Sequence, residues 1–201
     1  EEAIESIIHQ TLKPSEVVIV EDGPLTPELY QVLEKLEAQS SIPIKRCPLE
    51  QNRGLGLALQ YGVLQCQYDV IARMDTDDIA VEDRFEQQFE LMEKENLDLL
   101  GGHIAEFIDQ PDEIVSYRRV PTKHEDIIAY QRMRSAFNHM TVMFKKEMVL
   151  KAGNYEDGLY MEDDLLWLNM ISAGARTGNV DQILCKVRVG AGMFERRGGL
   201  R

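Results

Sequence analysis

Ile4, Ile7, Ile8 and Leu12 recur at helical spacing until Pro14 interrupts them, and the unbroken apolar run over residues 17–20 then predicts a strand buried on both faces. That strand closes on Glu21-Asp22-Gly23-Pro24. Thr26 followed by Pro27 has the chemistry of a helix start: a side-chain cap, then a residue with no amide to satisfy. Leu29, Val32, Leu33 and Leu36 share one face of the helix that follows. Residues 42–47 predict a short strand, 51–56 a loop entering a third helix, 69–74 another strand, and 82–95 a fourth helix.

Beyond residues 97–101 the rhythm changes to shorter apolar pieces at 104–108, 114–120 and 141–144. A helix opens near Thr122, which stands at capping-box spacing from Glu125. A last helix over 163–173 stops at Gly174, and the alternation Ile183, Cys185, Val187, Val189 predicts an edge strand. Alternating strands and helices of these lengths predict an α/β fold, since parallel neighbours require a crossover. The expected architecture is a Rossmann-like, mostly parallel central sheet with helices on both faces and a small mixed C-terminal part, all in a single domain over 1–201. Ligands of such sheets collect at the C-terminal ends of the strands.

Composition narrows the partners. Apolar residues make up 44% of the chain and charged residues 28%, as in folded soluble domains. A net charge of −13 repels a polyphosphate backbone and argues against nucleic acid as a partner. A small phosphorylated ligand stays compatible where a cation or a few arginines offset that repulsion. Cys47, Cys66 and Cys185 are odd in number and have no paired spacing, which argues against a disulfide framework or structural zinc and favours a reducing compartment. No apolar run approaches the roughly 20 residues that cross a bilayer, and the sequence opens on Glu1-Glu2 rather than a basic signal flank. The expected location is cytoplasmic, possible docking at the inner face of the cell membrane included.

The chemistry concentrates in Asp75-Thr76-Asp77-Asp78, directly after a predicted strand. Crowded carboxylates repel one another, so the cluster suits Mg²⁺ or Mn²⁺, with Asp77 the first choice as ligand. The same acids also suit a helix N-terminus, and Asp78 in particular suits a helix cap. Asp22-Gly23 forms either ordinary turn chemistry or a carboxylate beside a backbone able to approach a ligand closely. Gly54 and Gly56 flank a helix start whose free amides could face a phosphate, with Asn52 and Arg53 as polar contacts.

In this order, Glu21-Asp22-Gly23, Asn52-Arg53-Gly54-Leu55-Gly56, Asp75-Thr76-Asp77-Asp78 and the helix start Glu162-Asp163-Asp164 resemble the motifs of family 2 glycosyltransferases of the GT-A fold. The resemblance covers nearly the whole chain. Asn138 to Phe144 and Glu195-Arg196-Arg197-Gly198-Gly199 also resemble the branch that builds bacterial surface polysaccharides, amylovoran-type enzymes among them. The resemblance implies a metal-dependent, inverting transfer of a sugar from a nucleotide-sugar donor, expected to be a UDP-sugar, to a saccharide or lipid-linked saccharide acceptor. It implies a nucleotide-binding half over 1–101 and an acceptor-binding half over 102–201.

Residue by residue, the resemblance puts Asp22 and Gly23 at the base, Asn52, Arg53 and Gly54 along the nucleotide, and Asp75 at the ribose or assisting Asp77 at the metal. Asp163 becomes the base that deprotonates the acceptor, with Glu162 beside it. Three acids opening a helix also satisfy its dipole without catalysis. His139 could line the pocket or ligand the metal, or simply bond locally. Arg196 and Arg197 lie among glycines in a stretch suited to closing over a diphosphate, or to a terminus without fixed structure. Trp167 is expected in the core.

The chain departs from the family pattern at both ends: it lacks the apolar strand that normally precedes the first helix, and it stops early. It is therefore expected to be truncated at both ends. Two rivals follow from the same residues: a nucleotidyltransferase, which would want a basic glycine-rich loop after its first strand, and a non-catalytic sugar- or partner-binding domain.

Overall fold

The computed structural model describes residues 1–157 and 161–190, so Arg196 and Arg197 lie outside the described residues. The chain opens with α1 (Glu2–Ile8), β1 (Val17–Glu21), α2 (Pro27–Gln39), β2 (Ile44–Pro48) and α3 (Leu55–Gln65). It continues through β3 (Val70–Ala72), β4 (Ile79–Ala80), α4 (Arg84–Glu95), β5 (Leu99–Phe107) and β6 (Ile114–Arg118). After α5 (His124–Gln131) and a 3-10 turn (His139–Thr141) come β7 (Met143–Lys145), α6 (Lys146–Lys151), α7 (Glu162–Ser172) and β8 (Thr177–Arg188). Thr26 caps α2 as expected, its hydroxyl accepting from the Leu29 amide at 3.5 Å.

The α/β class holds, and the strands form a mixed arrangement. β1 and β2 pair in parallel as a two-stranded ladder, while a six-stranded sheet runs β3-β7-β5-β8-β4 with β6 on the other edge of part of β5. In that sheet β5 and β8 are parallel and the remaining pairs antiparallel.

Three local expectations are corrected. The stretch Ile183 to Val187 belongs to an interior strand rather than an edge strand: β8 pairs with both β5 and β4, and Leu184 and Cys185 are fully buried. Asp78 caps no helix. The chain first spends Ile79 and Ala80 pairing with Lys186 and Cys185, α4 begins only at Arg84 behind Asp83, and the buried Asp78 carboxylate accepts from the Arg188 amide at 3.0 Å. The capping box of Thr122 and Glu125 does not form, because Thr122 offers its carbonyl to the Asn179 amide and α5 starts one residue later, with Lys123 at its cap position.

Trp167 is fully buried, as expected, and lies in one core with Leu99, Phe137, Phe144, Tyr155 and Met170. Its rings meet edge-on: Phe137 at 5.8 Å and Tyr155 at 6.3 Å between centroids. This core joins α7 to the sheet, so the acidic start of α7 is set on a rigid base. Burying a side chain of this size stabilises the fold by a few kcal/mol, about 3 to 5 on truncation.

Candidate active site

Asp22 follows β1 and serves as an anchor for the loop before α3. Its carboxylate accepts from the amides of Arg53, at 2.7 Å, and Gly54, at 3.0 Å, the residues that lead into α3. Gly23 has φ +93°, and a Cβ there would stand 2.7 Å from the Asn52 nitrogen, so the two loops meet backbone to backbone and only glycine fits. Asn52 and Arg53 are exposed on this junction.

The helix that this loop opens is bolted to the segment leading into the acids of α7. Gln60 donates to the Tyr155 carbonyl at 2.7 Å, and Asn154 donates to the Gln60 carbonyl at 3.1 Å. A Cβ on Gly56 would come within 2.5 Å of the Glu156 carbonyl and 3.6 Å of the Glu162 Cβ. Gly56 therefore serves close packing: it lets the first turn of α3 lie against Glu156 and Glu162.

The acids of α7 point in different directions. Asp164 accepts from Gln131 of α5 at 2.8 Å. Glu162 and Asp163 face His139, and one ligand atom from each of the three lies within 4.8 Å of the others. His139 Nδ1 stands 3.7 Å from Asp163 Oδ2. Burial, then the neighbouring Asp164 and Glu162 charges, raises the Asp163 carboxyl above the usual carboxylate range. That is the direction of shift that makes a carboxylate a better proton acceptor. His139 is pushed the other way, well below its usual range, by burial and then by the Arg73 charge, so its ring is neutral.

The acids after β3 are equally divided. Both Asp75 oxygens are held by the buried Arg73 guanidinium, one of them at 2.6 Å from Nη1. Asp78 is buried, and desolvation raises its carboxyl to about 7, with Asp75 and Asp77 adding to the rise and the Arg188 amide opposing it. Asp77 is exposed and, among the described residues, has neither hydrogen bond nor ion pair, and it lines a cavity of about 210 Å³ with Thr76, Asp78 and Arg188. Of the three, Asp77 fits a divalent cation as it stands; Asp75 would first have to leave Arg73.

Two of these groups of residues share one electrostatic neighbourhood. The Tyr155 hydroxyl is raised above its ordinary range chiefly by burial; Arg73 opposes the rise, and Asp163, Glu162 and Asp75 add to it. A larger cavity, about 490 Å³ around Lys123, His124 and Arg176, lies at the first residues of β8, whereas Asp78 meets its last, Arg188. Neither Asp22 nor any of the acids after β3 or at the start of α7 lines that larger cavity. Arg73 and Tyr155 carried no assigned role in the sequence. Arg73 was legible only as a cation two positions before Asp75, and Tyr155 through no pattern at all, since its partners come from α3, the 3-10 turn and α7.

Residues 1–155 match the family described as Glycosyl transferase family 2. The chain belongs to this family. An uncharacterized glycosyltransferase of Haemophilus influenzae is 44% identical over 99% of the chain and 73% of its own length. The amylovoran biosynthesis glycosyltransferase AmsE of Erwinia amylovora is 41% identical over 99% of the chain and 74% of its length. An Escherichia coli UDP-Gal:alpha-D-GlcNAc-diphosphoundecaprenol beta-1,3-galactosyltransferase is 36% identical over the whole chain and 72% of its length.

Among solved structures, S. aureus TarS 1-349 superposes with a TM-score of 0.73 at 18% identity over 93% of this chain, and its complex with UDP-GlcNAc with 0.71. A mannosyltransferase from Pyrobaculum calidifontis, solved with GDP-Man and Mn²⁺, gives 0.71 at 15% identity over 94% of this chain. The fold is thus that of the GT-A glycosyltransferases. The chain spans 56% of TarS 1-349 and 53% of the mannosyltransferase, against nearly three quarters of the curated relatives. Among the described residues no helix is long and apolar enough to cross a membrane.

Proposed function

We propose that this domain transfers a sugar, with inversion, from a UDP-sugar to a saccharide acceptor during surface polysaccharide synthesis. The observation that carries this reading is the physical link from the Asp22 loop, through α3, to the acids of α7: a donor held at one end would meet a tuned carboxylate at the other. Residues 1–101 would hold the nucleotide, with Asp22, Gly23, Asn52, Arg53 and Gly54 along it, and residues 102–201 the acceptor. The acceptor named for the E. coli relative supports a lipid-linked saccharide, which would bring the domain to the inner face of the cell membrane.

Asp163 takes the proton of the acceptor hydroxyl as that oxygen bonds to the anomeric carbon, and the bond from that carbon to the diphosphate breaks on the opposite face. Burial and then the Asp164 charge raise the proton affinity of Asp163, and the Glu162 charge adds to the rise. Asp77, joined by Asp75 once that carboxylate leaves Arg73, would hold Mg²⁺ or Mn²⁺, which would supply charge stabilisation for the departing diphosphate oxygens. Arg73 keeps Asp75 in place, and Asp78 braces the acidic turn against β8.

Replacing Asp163 by Asn tests the base assignment. Turnover is expected to fall at least about 100-fold while UDP still binds in the presence of Mn²⁺. Ordinary turnover in the Asp163→Asn enzyme would remove the assignment.

A further inference from the structure

We infer that Tyr155 and His139 form a hydrogen-bonded dyad that orients Asp163, Tyr155 fixing the imidazole and the imidazole aiming an N–H at Asp163 Oδ2. This rests on the reading of Asp163 as the base and adds two positioning residues to it. The geometry is specific. His139 Nε2 and the Tyr155 hydroxyl are 3.0 Å apart. The His139 ring also stands edge-on to Trp167, with centroids 5.8 Å apart and planes at 78°. Trp167 is four residues beyond Asp163 on α7, one helical turn along the same face, so the helix that carries the base also supplies the wall for the histidine. The His139 side chain is only 11% exposed.

The direction of the hydrogen bonds follows from this arrangement. Buried Tyr155 keeps its proton and, among the described residues, the imidazole is the partner of its hydroxyl. Tyr155 therefore donates to Nε2. A neutral imidazole whose Nε2 accepts carries its proton on Nδ1, the atom facing Asp163 Oδ2 at 3.7 Å. The opposite tautomer would set a nitrogen lone pair against a carboxylate. A gap of this size is a few tenths of an ångström beyond a direct hydrogen bond, and such contacts commonly tighten when substrate binds. With Oδ2 held, Oδ1 is the oxygen presented to the acceptor.

Tyr155→Phe keeps the ring and removes only the donor. His139→Gln puts an amide near the Nε2 position and leaves nothing facing Asp163, whereas His139→Asn keeps an N–H near the Nδ1 position. The assay is UDP release, with water as acceptor, from whichever of UDP-glucose, UDP-galactose and UDP-N-acetylglucosamine the full chain turns over. Tyr155→Phe and His139→Gln should each lower kcat about tenfold, with donor KM and the UDP and Mn²⁺ affinities unchanged, and His139→Asn should recover most of the loss. Wild-type kcat in Tyr155→Phe overturns the dyad. So does a loss of Mn²⁺ affinity in both His139 variants, which would make His139, Glu162 and Asp163 a cation site instead. Failure of the underlying reading is separate: it shows as an active Asp163→Asn enzyme.

Discussion

The buried guanidinium of Arg73 grips both oxygens of Asp75, so the acidic turn after β3 is not a set of three equivalent carboxylates. Asp75 is paired, Asp78 is buried against β8, and Asp77 alone of the three is exposed without a partner among the described residues. This division explains how the acids stand so close together in a fold that must remain stable before any ligand arrives. It also puts one ligand candidate in solvent and the charge-balancing work beneath it.

Breaking the Arg73 pair should therefore cost stability. Arg73→Met strands Asp75, whose side chain is 31% exposed, beside a partner site only 6% exposed. Loss of a fully buried pair costs about 3 to 5 kcal/mol, and the partial exposure of Asp75 brings the expected loss to about 2 kcal/mol by urea unfolding. A change below about 0.5 kcal/mol would mean that the pair holds nothing in place.

Asp78 makes a pH-dependent contribution whose sign is fixed by its raised carboxyl, at about 7 against 3.8 for an unperturbed aspartate. The folded state holds the proton more tightly than the unfolded state, so the contribution is complete below about pH 4 and is lost as pH rises through about 7. Asp78→Asn retains an oxygen for the Arg188 amide and removes the titration. Its advantage in Tm over the wild type should grow from pH 5 to pH 7 and level off by pH 8. Parallel pH profiles of the two proteins would contradict the assignment.

Gly23→Ala places a methyl 2.7 Å from the Asn52 nitrogen on a backbone with φ +93°. Neither backbone can yield without separating the Asp22 turn from the loop that opens α3. We expect a loss of about 1 to 3 kcal/mol in stability. UDP affinity should fall at least about tenfold, measured at a temperature where the variant is folded. Unchanged UDP affinity would show that this junction does not carry the nucleotide.

Much of this was legible in the sequence because local physics decided it. The strand at Val17 to Val20, the Thr26 cap and the early turn of α7 follow from apolar-run, capping and dipole preferences that act within a few residues, although Val17 to Val20 are half-buried rather than buried on both faces. Asp78 and β8 were misread for the opposite reason. Whether an aspartate caps a helix or braces a strand depends on Arg188, which is 110 residues away. The alternation that suggested an edge strand at Ile183 to Val187 does not record that β4 covers the far side of β8. At the site, the acids and glycines stood out as residue types. Tyr155, Gln60 and Asn154 became functional candidates only through contacts between α3 and the segment before α7.

The most direct measurement is calorimetry of UDP binding with and without Mn²⁺, comparing the wild type with Asp77→Ala. The account predicts wild-type binding that is tighter with Mn²⁺ and an Asp77→Ala protein that is folded but has lost that enhancement. Equal UDP affinity with and without Mn²⁺ in the wild type, or an enhancement preserved in Asp77→Ala, would contradict it.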